Sequence, residues 1–226
     1  VPRGNRRQSS QSTLVVIPAY NEQEALAPTV EELMARCPHV HALIVDDGSV
    51  DGTPDVCREL SANHPHVSYV SLPFNCGIGA AVQCGLMRAW EGGYRWAAQY
   101  DGDGQHDPAY LIPMIEHAEK NNLDLCVGSR FLDVNRPTFR STALRRVGIL
   151  FFARLIGSLT SVRVTDPTSG FRAYGRRAID LFRTQYPEDY PEPEALFRCA
   201  RNRLNVGEFP VEMRERQGGS SSIRYM

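Results

Sequence analysis

The sequence predicts an α/β fold, with a mainly parallel sheet flanked by helices in a single domain. Short, continuous apolar runs recur from residue 14 to residue 128, as expected of strands that are buried on both faces. Segments with helical periodicity separate these runs. The alternation is typical of a parallel sheet, because parallel strands are joined by helical crossovers.

The predicted strands of the first half share a short apolar character and end in polar residues. They are residues 14–17, 42–45, 67–72, 95–100 and 123–128. The predicted helices between them carry apolar residues on one face. They lie around residues 30–34 and over residues 53–63, 79–90 and 109–120.

The second half of the chain has a different pattern. Residues 147–159 are apolar with interspersed arginines, which favours a buried helix. The alternative is a helix at a lipid interface, with Arg145, Arg146 and Arg154 meeting lipid phosphates. The other predicted segments are a loop over 165–172, a short helix over 178–182, a loop over 186–193, a helix over 195–203 and an extended segment over 206–213.

Length and composition limit the class of protein. A chain of 226 residues buries a sizeable core as one domain. The formal net charge of -1 argues against a nucleic-acid binder held by bulk electrostatics. The six cysteines show no CxxC spacing, so they are interpreted as reduced, mostly buried thiols of a cytosolic protein.

Both ends of the chain differ in composition from the predicted domain over residues 13–213. Residues 1–12 form a polar lead-in, of which residues 1–4 resemble a protease-site remnant. Residues 214–226 are basic and rich in Gly and Ser, and we expect this tail to be mobile without ligand. No run of 18 apolar residues and no signal peptide is present, so no transmembrane helix is expected.

Polar clusters follow the predicted strands at five places: after Ile17, Val45, Leu72, Tyr100 and Val127. In open α/β sheets, ligands bind outside the carboxyl ends of the strands. Five clusters at such ends therefore predict one composite site.

The cluster after Tyr100 has the most chemical content. Asp101 and Asp103 stand one residue apart between glycines, so both carboxylates are able to face one hard cation. The alternative is a simple Asp/Gly turn between strand and helix. Asp107 is interpreted as a helix cap before Pro108, and His106 as a loop residue in water that is neither ligand nor catalyst.

Six motifs occur in order along the chain. They are Pro18-Ala19-Tyr20-Asn21-Glu22, Asp46-Asp47-Gly48-Ser49-x-Asp51-Gly52-Thr53, Asn75-x-Gly77-x-Gly79-Ala80, Asp101-Gly102-Asp103-Gly104-Gln105, Gly128-Ser129-Arg130-Phe131 and Asp166-x-x-Ser169-Gly170-Phe171-Arg172. Together they resemble the family 2 glycosyltransferases of the Rossmann-like GT-A fold, and within them the polyprenyl (dolichol-type) phosphate sugar transferases. The resemblance spans residues 13–222.

The resemblance implies a nucleotide-sugar site that holds a metal ion. Asp101 and Asp103 match the family's DxD motif, which binds Mg2+ or Mn2+ bridging the donor's diphosphate, and Gln105 is expected to touch the sugar or the metal shell. The residues expected to contact base and ribose are Pro18, Tyr20, Glu22 and Asp47. Asp51 is instead interpreted as a cap of the next helix. Gly77 and Gly79 lie in a loop that enters a helix, where the backbone approaches a ligand closely and the helix N-terminus favours an anion.

The resemblance also implies residues for the acceptor side. Arg130 is assigned to a donor or acceptor phosphate, with a structural salt bridge as the alternative. Asp166 is the first candidate for a general base, ahead of Glu192 and Glu194. In the tail, Arg216 and Ser221 resemble the family's segment that closes over the diphosphate, but Ser222 stands where relatives often carry lysine.

The implied reaction is metal-dependent, inverting transfer of a sugar from a GDP-, UDP- or dTDP-sugar to a polyprenyl phosphate. The first alternative is transfer to a sugar hydroxyl of a growing cell-surface glycan. A nucleotidyltransferase and a non-catalytic nucleotide-sugar binding module are more remote. The expected location is the cytoplasm, peripheral to the cytoplasmic face of a membrane, with a possible membrane-protein partner and no nucleic acid.

Overall fold

The computed structural model describes residues 13–132, 157, 163–187 and 190–214. Seven strands lie in these residues: β1 Thr13–Ala19, β2 His41–Asp46, β3 Val67–Ser71, β4 Trp96–Gln99, β5 Leu125–Ser129, β6 Arg172–Gly175 and β7 Val206–Pro210. Six helices accompany them: α1 Leu26–Arg36, α2 Thr53–Asn63, α3 Ile78–Glu91, α4 Leu111–Lys120, α5 Arg176–Phe182 and α6 Pro191–Arg201. A 3-10 turn over Pro108–Tyr110 leads into α4.

The strands form one sheet in the order β3-β2-β1-β4-β6-β5-β7. β1 pairs in parallel with β2 and β4, β2 pairs in parallel with β3, and β5 pairs in parallel with β7. Only β6 runs antiparallel, between β4 and β5. The predicted single-domain fold with a mainly parallel sheet is therefore confirmed.

Both faces of the sheet are buried, and β1 illustrates how. Val15 and Ile17 pack into the core that contains the buried residues of α1, α2 and α4. Leu14 and Val16 point the other way, into the core formed with α3, α5 and α6. Successive side chains of a strand point to opposite faces, so a strand covered on both sides is apolar throughout.

Helix α3 packs against β1 at unusually short range. Gly85 makes this approach possible, because a Cβ atom added there would lie 2.2 Å from Val16 Cγ1. The close packing fixes the helix on the strand that leads to the first polar cluster. It therefore helps to position the residues at the carboxyl edge of the sheet.

Two features of the second half were not predicted. β6 falls where only a loop ending at residue 172 was expected, and α6 begins at Pro191, inside the predicted loop over 186–193. A proline at the first helical position is favourable because that position needs no N–H donor. The predicted helix over 147–159 lies outside the described residues, apart from residue 157.

The six cysteines are free thiols, and four of them are buried, as predicted. Within the described part of the chain, no helix has the length and apolar character needed to span a membrane.

Candidate active site

The loop after β4 folds back on itself and presents the two predicted carboxylates. The hydroxyl of Tyr100 donates to the carbonyl of His106 at 2.8 Å, which closes the loop. The backbone N–H of Gln105 donates to Asp103 Oδ1 at 3.0 Å, next to Gly104 with a φ of 75°. This left-handed conformation suits glycine, so the glycines of the motif shape the turn.

Asp101 is held by neighbouring side chains. His106 Nε2 lies 3.1 Å from Asp101 Oδ2, and Gln99 Nε2 donates to Asp101 Oδ1 at 3.4 Å. Gly170 leaves room for the carboxylate, since a Cβ there would lie 2.7 Å from Asp101 Oδ2. Burial alone would raise the pKa of Asp101, but the hydrogen bond and charge of His106, the hydrogen bond from Gln99 and the charge of Arg130 lower it. Asp101 is therefore held as an anion.

The interpretation of His106 as a residue in water was wrong. His106 is 4% exposed and stacks on Phe171 with the ring centroids 4.9 Å apart. The segment after β7 lies against His106, since His106 forms an isolated antiparallel bridge with Met213. The prediction for Asp107 is confirmed, since its side chain accepts the N–H of Ala109 at 2.9 Å.

Gln105 connects the same loop to the end of the described chain. Its side-chain amide donates to the carbonyl of Arg214 at 3.4 Å, and its own carbonyl accepts the N–H of Arg214 at 2.8 Å. Arg214 also forms ion pairs with Glu32 and Asp107, at 2.7 and 2.8 Å. The predicted tail residues Arg216 and Ser221 lie outside the described residues.

The loops after β1 and β2 are joined by hydrogen bonds, which places four predicted residues near one another. The backbone N–H of Glu22 donates to Thr53 Oγ1 at 2.9 Å, and that of Asn21 donates to Ser49 Oγ at 3.0 Å. Pro18 belongs to β1, Tyr20 is exposed and Glu22 is buried. The N-cap residue of α2 is Gly52 and not the predicted Asp51, although the Asp51 side chain, one residue earlier, accepts the N–H of Thr53 at 3.0 Å.

Asp47 anchors the loop that precedes α3. Its two carboxylate oxygens accept the N–H groups of Cys76 and Gly77, both at 2.8 Å. Burial raises the pKa of Asp47, the two N–H groups lower it, and the charge of Asp46 raises it, with a net increase. Gly77 has a φ of 89° and Gly79 is buried in the first turn of α3. The predicted loop thus reaches the carboxyl edge at a helix N-terminus.

Arg130 and Asp166 form a buried ion pair. Arg130 Nε and Nη2 donate to Asp166 Oδ2 and Oδ1 at 2.6 and 2.7 Å, and the Asp166 side chain is fully buried. The backbone N–H of Arg130 and the hydroxyl of Thr168 add two more donors to this carboxylate, at 3.2 and 3.3 Å. This geometry favours the salt-bridge alternative for Arg130. It also argues against Asp166 as a general base, because its oxygens already accept four hydrogen bonds.

Two residues near Asp101 received no role from the sequence: Gln99, which lies outside the motifs, and Arg172, which ends the sixth motif. Gln99 is buried at the end of β4 and contacts the hydroxyls of Tyr174 and Tyr186. Arg172 is fully buried, donates to the carbonyls of Ser169 and Pro167, and leaves Nη1 without a hydrogen-bond partner among the described residues. An amide at the end of an apolar strand, just before an acidic loop, was the available signal for Gln99.

Glu192, the second candidate for a general base, lies in the first turn of α6. Burial raises the pKa of Glu192, the positive charge of Arg172 lowers it, and the negative charge of Asp101 raises it, with a net increase. The described residues bring together no three His, Cys, Asp or Glu side chains as a complete metal site.

Known proteins match this chain over most of its length. It is 34% identical over 219 residues to the polyprenol monophosphomannose synthase of Mycolicibacterium smegmatis, covering 95% of this chain and 82% of that protein. It is 33% identical over 217 residues to the undecaprenyl-phosphate mannosyltransferase of Micrococcus luteus, covering 93% and 86%.

A solved structure shares the fold. The mannosyltransferase from Pyrobaculum calidifontis, solved in complex with GDP-Man and Mn2+, superposes with a TM-score of 0.65 at 16% identity. The match covers 88% of this chain and 55% of that protein's length. The sequence pattern of the family described as "Glycosyl transferase family 2" matches residues 14–182. The chain belongs to glycosyltransferase family 2.

Proposed function

We propose that this glycosyltransferase moves a sugar from a nucleotide-sugar donor to a polyprenyl phosphate, with inversion at the anomeric carbon. The observation that carries the proposal is the loop at the carboxyl edge, which carries Asp103 two residues after an Asp101 that is held as an anion. The similarity to two polyprenyl-phosphate mannosyltransferases supports the acceptor. Membership of glycosyltransferase family 2 argues against the two remote alternatives, a sugar nucleotidyltransferase and a non-catalytic nucleotide-sugar binding module.

The donor's nucleoside is assigned to the joined loops after β1 and β2. Pro18, Tyr20 and Glu22 line the first loop, and Asp47 lies in the second. Gly77 and Gly79 bring the N-terminus of α3 to the same edge, where the helix dipole favours a diphosphate. The donor would thus run from the β1 and β2 loops toward Asp101.

Asp101 and Asp103 would hold Mg2+ or Mn2+. Two carboxylates suit a hard cation, which takes its other oxygen ligands from water and substrate phosphates. When bound, the cation supplies Lewis-acid neutralisation of the charge that builds on the departing nucleoside diphosphate. Gln105, whose backbone N–H holds Asp103, is assigned to the metal shell or the sugar.

A phosphate acceptor agrees with the state of Asp166. A phosphate monoester has a second pKa of about 6, so it is already a nucleophile near neutral pH and needs positioning more than a general base. Asp166 is committed to Arg130, which leaves it poorly placed to accept a proton. Since the acceptor is a lipid, the enzyme would act at the cytoplasmic face of a membrane, bound peripherally or through a membrane-protein partner.

Transfer to a sugar hydroxyl is the second candidate, favoured by Glu192. A hydroxyl acceptor needs a general base, and burial, with a smaller contribution from the charge of Asp101, raises the pKa of the Glu192 carboxyl. The variant Glu192→Gln separates the candidates. Loss of general-base catalysis lowers turnover by about 100- to 10,000-fold, whereas a phosphate acceptor tolerates the change.

Calorimetric titration of GDP-, UDP- and dTDP-sugars, with Mn2+ and then with EDTA, tests the donor and metal assignment. We expect one donor to bind and EDTA to remove the binding. Turnover with undecaprenyl phosphate then tests the acceptor. Folded protein that binds none of the three donors in Mn2+ would refute the proposal.

A further inference from the structure

The carboxylate of Asp101 has a support that extends deeper into the protein. Gln99 is 1% exposed and lies at the end of β4, two residues before Asp101. Its Nε2 donates to Asp101 Oδ1 at 3.4 Å. Its Oε1 accepts from the hydroxyl of Tyr174 at 3.2 Å and from that of Tyr186 at 3.4 Å. A buried chain of polar groups thus leads from two tyrosines to the acidic loop.

The direction of the Gln99 amide follows from counting protons. The two tyrosine hydroxyls lie 3.0 Å apart, and each also lies within hydrogen-bond distance of Gln99 Oε1. The two hydroxyl protons cannot both lie between the two tyrosine oxygens. At least one proton therefore points to Gln99 Oε1 if both hydroxyls donate within this cluster. A flipped amide would set its oxygen against the Asp101 carboxylate, and two acceptors repel. Only one amide orientation satisfies every group.

The tyrosines are themselves immobilised. Tyr174 lies in β6, in register with Ala97 of β4 and Leu125 of β5. Tyr186 follows α5, and its ring packs against Phe182 with the centroids 5.4 Å apart. Both tyrosines are buried, and burial raises the pKa of Tyr174 to about 12, so its hydroxyl keeps its proton. Both hydroxyls therefore keep their protons, and at least one of them donates to Gln99 Oε1.

We propose that Gln99 is a positioning residue that orients Asp101 for the metal ion, and that Tyr174 and Tyr186 fix the orientation of Gln99. The inference rests on the proposed function, in which Asp101 is a metal ligand. Groups that hydrogen-bond to metal-ligating carboxylates set the direction of the ligand and the affinity for the metal. The segment between α5 and α6, which carries Tyr186, is thereby connected to the metal site.

The test compares Mn2+ binding by four variants with that of the wild type, and one of them, Asp103→Asn, checks the proposed metal site itself. Gln99→Met keeps the length of the side chain and removes its hydrogen bonds, and Tyr186→Phe removes one hydroxyl. Tyr94→Phe is the matched control, because its hydroxyl contacts His41 at the opposite end of β2. Free Mn2+ is measured by electron paramagnetic resonance, first alone and then with the nucleoside diphosphate (GDP, UDP or dTDP) of the donor that the wild type binds.

We expect Gln99→Met to weaken Mn2+ binding by about 10- to 100-fold. Tyr186→Phe should weaken it by about three- to tenfold, as expected for one hydrogen bond. Tyr94→Phe should match the wild type. Thermal unfolding checks that each variant is folded, and if Gln99→Met is unfolded, Tyr186→Phe decides.

Three results would overturn the inference, and they are distinguishable. If folded Gln99→Met binds Mn2+ with wild-type affinity, Gln99 does not position Asp101. If Gln99→Met binds Mn2+ more weakly but Tyr186→Phe binds it as the wild type does, Tyr186 does not orient Gln99. Absence of Mn2+ binding in the wild type, or equal binding in Asp103→Asn, rejects the metal site of the proposed function itself.

Discussion

Asp101 and Asp103 occupy one loop but are held in different ways. Asp101 is fixed by two side-chain donors, whereas Asp103 Oδ1 accepts a backbone N–H within the turn. A change at Asp101 would disturb the buried His106 and Gln99 directly. We therefore choose Asp103 as the position for testing the metal site.

We expect Asp103→Asn to lower sugar transfer by at least about 100-fold, because losing even a partner of a metal ligand costs about 10- to 100-fold. The melting temperature should stay near that of the wild type, since the amide oxygen still accepts the N–H of Gln105. Transfer of labelled sugar and thermal unfolding measure the two effects. Full wild-type activity in EDTA would contradict the metal role.

We expect the buried Arg130–Asp166 pair to affect the free energy of unfolding. Asp166→Leu leaves a buried guanidinium without its counter-ion, and breaking such a pair costs about 3–5 kcal/mol. The double variant Arg130→Met with Asp166→Leu removes both charges and should recover much of this loss. Unfolding in urea gives the free energies for a double-mutant cycle. If Arg130→Met keeps wild-type stability but loses activity at saturating donor, the guanidinium serves a phosphate instead.

Single residues near the site show what the sequence revealed and what it did not. The carboxylates at 101 and 103 and the cap at Asp107 follow from local patterns. The burial of His106 does not follow from a local pattern, because it depends on Phe171 and on the bridge to Met213. Both partners lie more than 60 residues away from His106 in the sequence. Contacts between distant segments leave no local pattern.

At the scale of elements, α3 connects the sheet to the proposed donor site. Its N-terminus is held by Asp47 through the N–H groups of Cys76 and Gly77, and its middle packs on β1 at Gly85. These two attachments suggest different effects of mutation. The first should change ligand binding and the second should change stability.

We expect Asp47→Ala to raise the KM for the donor more than it lowers kcat. The variant frees the loop before α3 and removes a proposed nucleoside contact, and both changes act on binding. Asp51→Ala is the control, because the Asp51 side chain accepts the N–H of Thr53 at the start of α2. Lower thermal stability with normal donor affinity would leave Asp47 a purely structural role.

Gly85→Ala should destabilise the fold by about 1–3 kcal/mol, as for other overpacked cores. The added methyl group would meet Val16 at 2.2 Å and force α3 away from β1. Adding Val16→Ala should restore part of the loss by making space. Denaturant unfolding of both variants tests this, and an unchanged midpoint in Gly85→Ala would show that the helix shifts freely.

The elements of the first half follow from the sequence, because each parallel strand is a continuous apolar run followed by an amphipathic helix. β6 was missed for a physical reason. It has only four residues and is antiparallel to β4 and β5 on either side. Its composition does not indicate the direction in which it runs. Its place in the sheet is set by partners on both sides.

At the scale of the whole molecule, ligand binding should stabilise the fold. A ligand present at 100 times its dissociation constant adds about 2.7 kcal/mol. For a domain of this size, that corresponds to a rise in melting temperature of roughly 5–10 °C. We expect this rise with Mn2+ and the cognate nucleoside diphosphate together, and its loss in EDTA. An equal rise in Asp103→Asn would place the ligand elsewhere.

The strand order has a consequence for where the chain meets the candidate site. β5 ends at the carboxyl edge of the sheet, and β6 begins at the same edge, with Arg172 opposite Gln99 of β4. Ser129, at the end of β5, and Arg172, at the start of β6, therefore lie on the edge from which the loop with Asp101 leaves β4. A substitution at either position would act on strand pairing and on the candidate site together, so stability and sugar transfer should change in parallel there.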